Sequence, residues 1–567
     1  MVVSEQPLIF VFMTNKEIVH NLNLLSKLME IYGENSFKTK AYSNAAYRIG
    51  KESAAIETRD LVQNPIPEIG ASVSQKIQEL LQTGKIEVLE EYLKKTPAGV
   101  VDMLQIKGIG PKKIAMLWQE IGIESIGELA YACTENRLVS IKGFGAKSQE
   151  SILKSIEFIQ SNNGYYLFSE LHTLSTELIT QLKIQFPQNE IEVTGAIRRQ
   201  ILVANEIELL TDLSKESILT YFSTEDTEIE PTALGINIQQ KNFPKLNIQF
   251  STKATFSKDL FLSTNTPDFN ISFLEQYSLP EKIQNEAEIF EQNKIHFIHP
   301  ALRESRDNLK KYAIPLTENQ TELIQNQDIK GIIHSHSTYS DGINTLEEMA
   351  NAAIEKGYEY LVISDHSQVA GYANGLYPDR IIKQHKEIGS LNQKLAPFKI
   401  FKSIEADILN DGNLDYNPEV LASFDLVIAS IHSNLKMTED KAMMRLMNAI
   451  QNPFTTILGH PTGRLLLSRA GYPIDYKTII DACSVHKVVI EINAHPRRLD
   501  LDWEWIPYAL EKGVLLSIDP DAHSISGIDL IKYGVYAAQK GGLTKKDNLS
   551  SMSLQEFENY ILSKKQA

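Results

Sequence analysis

From residue 328 onward, short apolar runs alternate with amphipathic stretches, and each run ends in a polar cluster. The runs are IKGIIHSH, EYLVISDHS, FKIFKSIEAD, FDLVIASIHS, TTILGHP, KVVIEINAHP and VLLSIDPDAHS. Seven strands separated by helices of crossover length, such as NTLEEMANAAIEKG, predict a parallel β/α barrel. In a barrel of that kind the C-terminal strand ends converge on one mouth, where these polar residues would gather. The first run continues as GIIHSHSTYSDG, with His334 and His336 at i and i+2 and Asp341 in a Ser-Asp-Gly turn. On a regular strand that spacing puts both imidazoles on one face, within reach of one ion. A single such pair is more often an ordinary surface or core pair; its recurrence carries the argument. Nine strand-end residues form the candidate ligand set: His334, His336, Asp341, His366, Glu405, His432, His460, Asp521 and His523. Six of the thirteen histidines of the chain belong to it, which packing alone does not explain.

Mixed imidazole and carboxylate donors suit Zn²⁺, Mn²⁺ or Fe²⁺ better than Mg²⁺. Such ions lower the pKa of bound water and clamp phosphate oxygens, which is the chemistry of phosphoester hydrolysis. The motifs HSH, SDG, DHS, IEAD, SIHS, GHP and DAH resemble those of the PHP (polymerase and histidinol phosphatase) domain, over residues 328–540. The resemblance implies up to three divalent ions, with Glu405 bridging and Glu405, Asp521 and His432 as the catalytic members. Arg464 and Arg497 or Arg498, after GHP and AHP, are either phosphate clamps or surface charges; Asp365, Asp407 and His495 are candidates for orienting the ligands.

The 567 residues exceed what one core supports and correspond to about four domains as a prior. Two cysteines, Cys133 and Cys483, exclude a disulfide framework and fit a reducing, cytoplasmic setting. No apolar run approaches a membrane span, and PLIFVF near the start lacks the flanks of a signal peptide; Met13 is an alternative start to Met1. The net charge of −16 argues mildly against nucleic acid, but local basic patches and backbone N–H groups decide phosphate contact, and acidic stretches such as residues 224–230 can lie elsewhere.

Residues 13–96 read as helical, with Leu22, Leu25, Leu28 and Met29 on one stripe. Three apolar–glycine hairpins follow one another: PEIGASVSQKI, IKGIGPKKIAML and IKGFGAKSQESIL. Glycine turns before a helix present N–H groups to phosphate, which makes Gly108, Gly110, Lys112, Lys113, Gly143, Gly145 and Lys147 candidate DNA contacts. The first hairpin has Glu68 where a glycine is expected. With GENSFKTKAYSNAAYRI before them, these hairpins resemble the N-terminal and fingers regions of family X DNA polymerases. That resemblance places Lys76 on the lysine that forms a Schiff base with a 5′-deoxyribose phosphate; the other reading of Lys76 is a solvated helix lysine.

The segment EIEVTGAIRRQILVANEIELL resembles the palm of that family, with departures. Gly195, Arg198 and Arg199 are kept, Ala196 replaces a serine, Glu206 and Glu208 replace the paired aspartates, and Asn247 falls on the third. Two Mg²⁺ ions need closely set carboxylates in near-octahedral geometry, so this palm is expected to be a poor Mg²⁺ site. LFLSTNTPDFN stands where the family has a Phe-Thr-Gly-Ser-type thumb motif, while FIHPALRES matches the bacterial version.

The expected architecture is multidomain: a lyase-like helical domain at 13–96, helix-hairpin-helix fingers at 97–165, a degenerate α+β nucleotidyltransferase-like palm at 166–254, a thumb at 255–315, a linker at 316–327 and a (β/α)7 barrel at 328–567. The expected function is metal-dependent hydrolysis of gapped, nicked or abasic DNA by a monomer, as a 3′-5′ exonuclease or abasic-site endonuclease. Gap-filling synthesis with the glutamates as substitute ligands, and hydrolysis of a small phosphate ester of the histidinol-phosphate type, are the alternatives.

Overall fold

The computed structural model describes residues 13–52, 56, 66–134, 138, 143–162, 164–223, 227–240, 243–467 and 470–566. The first twelve residues, Ile141 and Lys142 of the third hairpin, and residues 224–226 of the acidic stretch lie outside them. Two compact units divide the chain, one up to Asn163 and one from Gly164.

The first unit is helical. Its opening helix, Asn15–Ile31, starts at a Thr14–Glu17 capping box and buries Ile18, Leu22, Leu25 and Met29. The apolar member of each hairpin is the plug: Ile109 and Phe144 are buried with Leu117, Leu129 and Ile152. The turns around them point outward, with Gly108 at φ +91° and Gly143 at φ +94°, a conformation only glycine adopts freely. Glu68 takes the same left-handed conformation at φ +64° and ion-pairs with Arg48. The first hairpin therefore keeps the shape of the other two while presenting a neutralised carboxylate.

The second unit opens with β1 (Tyr166–Leu167), β2 (Ile191–Val193), β3 (Val203–Ala204) and β4 (Glu206–Thr211), followed by β5 (Thr227–Pro231), β6 (Gly235–Gln240) and β7 (Lys245–Phe250). Five of these make one sheet in the order β2-β4-β7-β6-β5, in which β4 and β7 run parallel and the other pairs antiparallel. Residues 256–312 are four short helices around Phe261, Phe269, Phe273 and Phe290, all fully buried.

The barrel strands are β8 (Gly331–Ser335), β9 (Tyr360–Ile363), β10 (Lys399–Asp407), β11 (Leu426–Ser430), β12 (Ile457–Leu458), β13 (Val489–Asn493) and β14 (Leu516–Asp519). They pair in chain order and all in parallel, and a bridge between Ser335 and Ala522 brings the first and last together. Both strand faces are covered, so β8, β9, β11 and β13 are buried throughout. The N-terminal end is plugged by Phe557 of the last helix, stacked on Tyr360 with centroids 4.5 Å apart and edge-on to Phe401. With that end filled by hydrocarbon, the C-terminal mouth is where polar groups can collect.

The barrel also leans on the palm. Leu499, Tyr533 and Ala537 belong to the same buried cluster as Phe168, Ile197 and Leu202. Gln200 donates to Gln539 at 2.9 Å, and the buried Lys540 ammonium reaches the Arg199 carbonyl at 3.0 Å and the Glu304 carboxylate. Burial pulls the Lys540 ammonium down to about 8, with Glu304 opposing.

Candidate metal centre

The pairing of β8 with β9 jumps from Ile332–Leu361 to Ser335–Ile363, three residues against two. His334 sits in that bulge at φ +59°. The expectation that simple strand alternation aims His334 and His336 together is thus corrected. The bulge re-aims His334, and His336 lies just past the strand, tied by its N–H to the Ala522 carbonyl at 2.8 Å. His460 and Asp521 also carry left-handed backbone, at φ +22° and +51°. Three ligands out of nine hold conformations that are costly for any residue but glycine, a form of strain concentrated at functional sites.

Glu405, on β10, is the hub. Its Oε1 lies 2.9 Å from His460 Nε2, 3.0 Å from His432 Nε2 and 3.3 Å from His334 Nε2; its Oε2 lies 3.0 Å from His366 Nδ1 and 3.7 Å from His336 Nε2. Asp521 Oδ1 is 3.1 Å from His336 Nε2 and 3.6 Å from His334 Nε2. Asp341 sits 3.4 Å from His523 Nε2 and 3.7 Å from His366 Nε2. Three overlapping groups have all their ligand atoms within 4.8 Å of one another: His336, Asp341, His366 and His523; His334, His336 and Asp521; His366, Glu405 and His432. All nine sequence candidates are brought together.

The site fits divalent cations on its own chemistry. His334 Nε2 and His336 Nδ1 are fully buried and make no hydrogen bond, an arrangement that a cation resolves. Burial alone would raise the Glu405 carboxyl, but the charges of His432, His334 and His366 hold it well below the usual carboxylate range. Burial together with repulsion from His523 and His366 drives His336 down to about 3, so it offers a neutral ring. His432 is pushed up to about 10, burial being outweighed by Glu405 and Asp407. Cation binding there must displace a proton, so affinity falls as pH falls.

Behind the ligands stands a residue that strand-end reasoning missed. Glu491, on β13 and fully buried, approaches His334 Nδ1 at 3.1 Å, accepts from the Asn493 amide at 2.8 Å and from the His460 N–H at 2.9 Å. Asn493 in turn donates to Asp521 Oδ2 at 3.1 Å. One carboxylate thus holds His334 and His460 directly and Asp521 through Asn493. Its signal in the sequence is an acid inside the otherwise apolar run KVVIEIN. Replacing Glu491 by glutamine is expected to weaken Mn²⁺ binding by about 10–100-fold, read by titration calorimetry, with little change in melting temperature. Unchanged affinity would remove it from this role.

Of the residues considered for orienting ligands, Asp407 approaches His432 Nδ1 at 3.2 Å. Asp365 accepts from Ser337 and Ser340 and so holds the Asp341 loop. The His495 ring accepts the Arg497 N–H at 3.2 Å. Arg464 is taken up by Asp502 and by the carbonyls of Arg498 and Leu499. Arg497 is half-buried, and Arg498 lies 3.8 Å from Asp521 Oδ2.

In the first unit Gly108, Gly110, Lys112, Gly143, Gly145 and Lys147 are exposed, while Lys113 donates to the Gly143 carbonyl at 2.9 Å and ties the second hairpin to the third. The Lys76 ammonium is 2.6 Å from Glu79, and that hydrogen bond raises its pKa, which disfavours the neutral amine a Schiff base needs.

The palm residues are turned inward. Glu208 accepts from the Ala196 N–H at 2.7 Å, and a Cβ on Gly195 would strike its carboxylate. Burial raises the Glu208 carboxyl, with the Ala196 N–H opposing. Glu206 pairs with Lys245 at 3.2 Å, and the Asn247 amide donates to Asn237 at 2.9 Å. Arg198 is paired with Glu286 at 2.6 Å and Arg199 with Glu304 at 3.1 Å.

A parallel barrel with a histidine-rich mouth, joined to a polymerase-like palm and preceded by helical hairpins, defines a family X-type polymerase carrying a phosphoesterase barrel. Residues 13–86 match a helix-hairpin-helix domain, 100–157 a SAM-like helix-hairpin-helix tandem and 333–540 the PHP domain. The chain is 32% identical to the DNA polymerase/3′-5′ exonuclease PolX of Bacillus subtilis (strain 168), over 97% of its own length and 99% of that protein. It belongs to the bacterial PolX family. The barrel region is also 27% identical to a probable phosphatase of Thermoanaerobacter sp. (strain X514), over 41% of this chain and 94% of that one. Among the described residues no helix is long and apolar enough to cross a membrane.

Proposed function

We propose that the chain is a DNA-repair enzyme whose working chemistry is metal-dependent hydrolysis of DNA phosphodiesters at the barrel mouth, as a 3′-5′ exonuclease or abasic-site endonuclease. The observation that carries this is the convergence of nine ligands at one barrel mouth, eight of them in three overlapping groups and His460 against Glu405. Up to three Mn²⁺ or Zn²⁺ ions held there would supply an activated water and charge to bind the phosphate. The chain's own residues prepare that step. Glu405 belongs to one group and touches His334 and His366 of the other two, Asp407 orients the His432 ring, and Glu491 orients that of His334. The exposed hairpin glycines with Lys112 and Lys147 are the backbone-gripping elements for gapped, nicked or abasic DNA. We place the enzyme in the cytoplasm, acting as a monomer.

DNA synthesis is lost in this reading. Glu208 accepts from the Ala196 N–H, Glu206 pairs with Lys245 and both palm arginines are in ion pairs, which occupies the two glutamates that would hold the ions. The similarity of the barrel to probable phosphatases keeps a small phosphate ester as the second reading.

The test is end-labelled gapped DNA incubated with Mn²⁺, with and without dNTPs, and with chelator. Shortening that needs Mn²⁺, with no extension when dNTPs are present, is expected. Extension would restore the palm as a polymerase site, and untouched DNA would move the substrate to a small phosphate ester.

A further inference from the structure

Among the described residues, two ligands face solvent more than the others. His523 and Asp341 side chains are 40% and 34% exposed, whereas those of the other seven ligands are 10% or less. A phosphate must therefore enter past Asp341 and His523. Two loops border that opening, and both show apolar side chains to solvent. Ile343 is 47% exposed while its N–H holds the His523 carbonyl at 2.9 Å. On the other loop Val369 is 52% and Tyr377 58% exposed, and the N–H of Leu376, next to Tyr377, holds the His366 carbonyl at 2.9 Å.

These loops are held in place. Arg380 donates to the Asn374 carbonyl at 2.7 Å and to that of Tyr339, fastening the second loop to the first. Val369 is anchored through its N–H to Asp415 at 3.1 Å. Apolar side chains held in water beside a polar centre suit an apolar partner. The outer surface of a duplex is sugar and charged phosphate and does not match such a rim, whereas the faces of unpaired bases do.

Building on the reading of the barrel as a DNA hydrolase, we propose that Ile343, Val369 and Tyr377 form a base-binding rim that receives unpaired nucleotides flanking the scissile phosphate, with Tyr377 as the stacking ring. Tyr377 is a positioning residue that acts on binding.

The test is hydrolysis of a 5′-labelled single-stranded trinucleotide by the full chain with Mn²⁺. Ile343→Ala/Tyr377→Ala is expected to raise KM between about fivefold and a hundredfold, with kcat within about twofold. Metal content and melting temperature stay at the wild-type values. Tyr377→Ala alone, which leaves the His523 loop untouched, is expected to give at least about a threefold rise, and Tyr377→Phe to restore wild-type KM. An unchanged KM in the double variant overturns the rim, as does a Phe variant no better than Ala. Wild-type protein inert on both the trinucleotide and gapped DNA would sink the hydrolase reading itself, and the rim with it.

Discussion

Replacement of His334 and His336 by alanine is expected to abolish Mn²⁺-dependent shortening of DNA and to lower the bound metal by at least two ions per chain. His336 is shared by two of the three ligand groups, and His334 belongs to one of them and lies 3.3 Å from Glu405. Removing both leaves only His366, Glu405 and His432 as an intact group. The measurement is metal analysis of the purified chain together with the nuclease assay. Because both rings are fully buried, each truncation also opens a cavity, so circular dichroism must show that the barrel still folds. Retained hydrolysis in a folded double variant would place the chemistry outside the barrel.

The second large effect concerns stability. Glu286 accepts from Arg303 and Arg198, both at 2.6 Å, and Arg303 is completely buried. Burial alone would raise the Glu286 carboxyl, but the two guanidinium groups hold it at about 2 against an ordinary 4.5. A depressed folded-state pKa contributes stability above the unfolded value and loses it as pH falls through the folded one. That contribution, about 3 kcal/mol, is present at neutral pH and fades between about pH 4.5 and 2. Glu286→Ala leaves Arg303 buried without a counter-charge and is expected to lose about 3–5 kcal/mol by urea unfolding at pH 7. The deficit relative to wild type should shrink on acidification below pH 4. A loss under about 1 kcal/mol, or one independent of pH, would contradict the ion-pair account.

The ligand set was legible because parallel barrel strands end at one mouth, so the recurring histidines and acids of the motifs from HSH to DAH had one place to meet. How they meet was not legible. The bulge that aims His334 arises from pairing between β8 and β9, and no spacing in GIIHSH announces it. Glu491 escaped because its partners, His334 and His460, are 157 and 31 residues away, so the acid in KVVIEIN signals a buried partner without saying which. The same holds in the palm. The departures at Ala196, Glu206, Glu208 and Asn247 are visible in one dimension, but the partners that close Arg198 and Arg199, Glu286 and Glu304, lie 88 and 105 residues on. Lys113 read as a phosphate contact, and its tether to Gly143 depends on a neighbouring hairpin.

The Lys540 anchor gives the palm a structural part in the barrel, apart from any chemistry of its own. The helix Ile531–Lys540 covers the barrel on one side and is itself covered by the palm on the other, through Tyr533, Ala537, Gln539 and Lys540. To the barrel the palm is a wall. A gene trimmed to the hydrolytic part would leave an ammonium in a half-dismantled pocket and a bare aromatic flank.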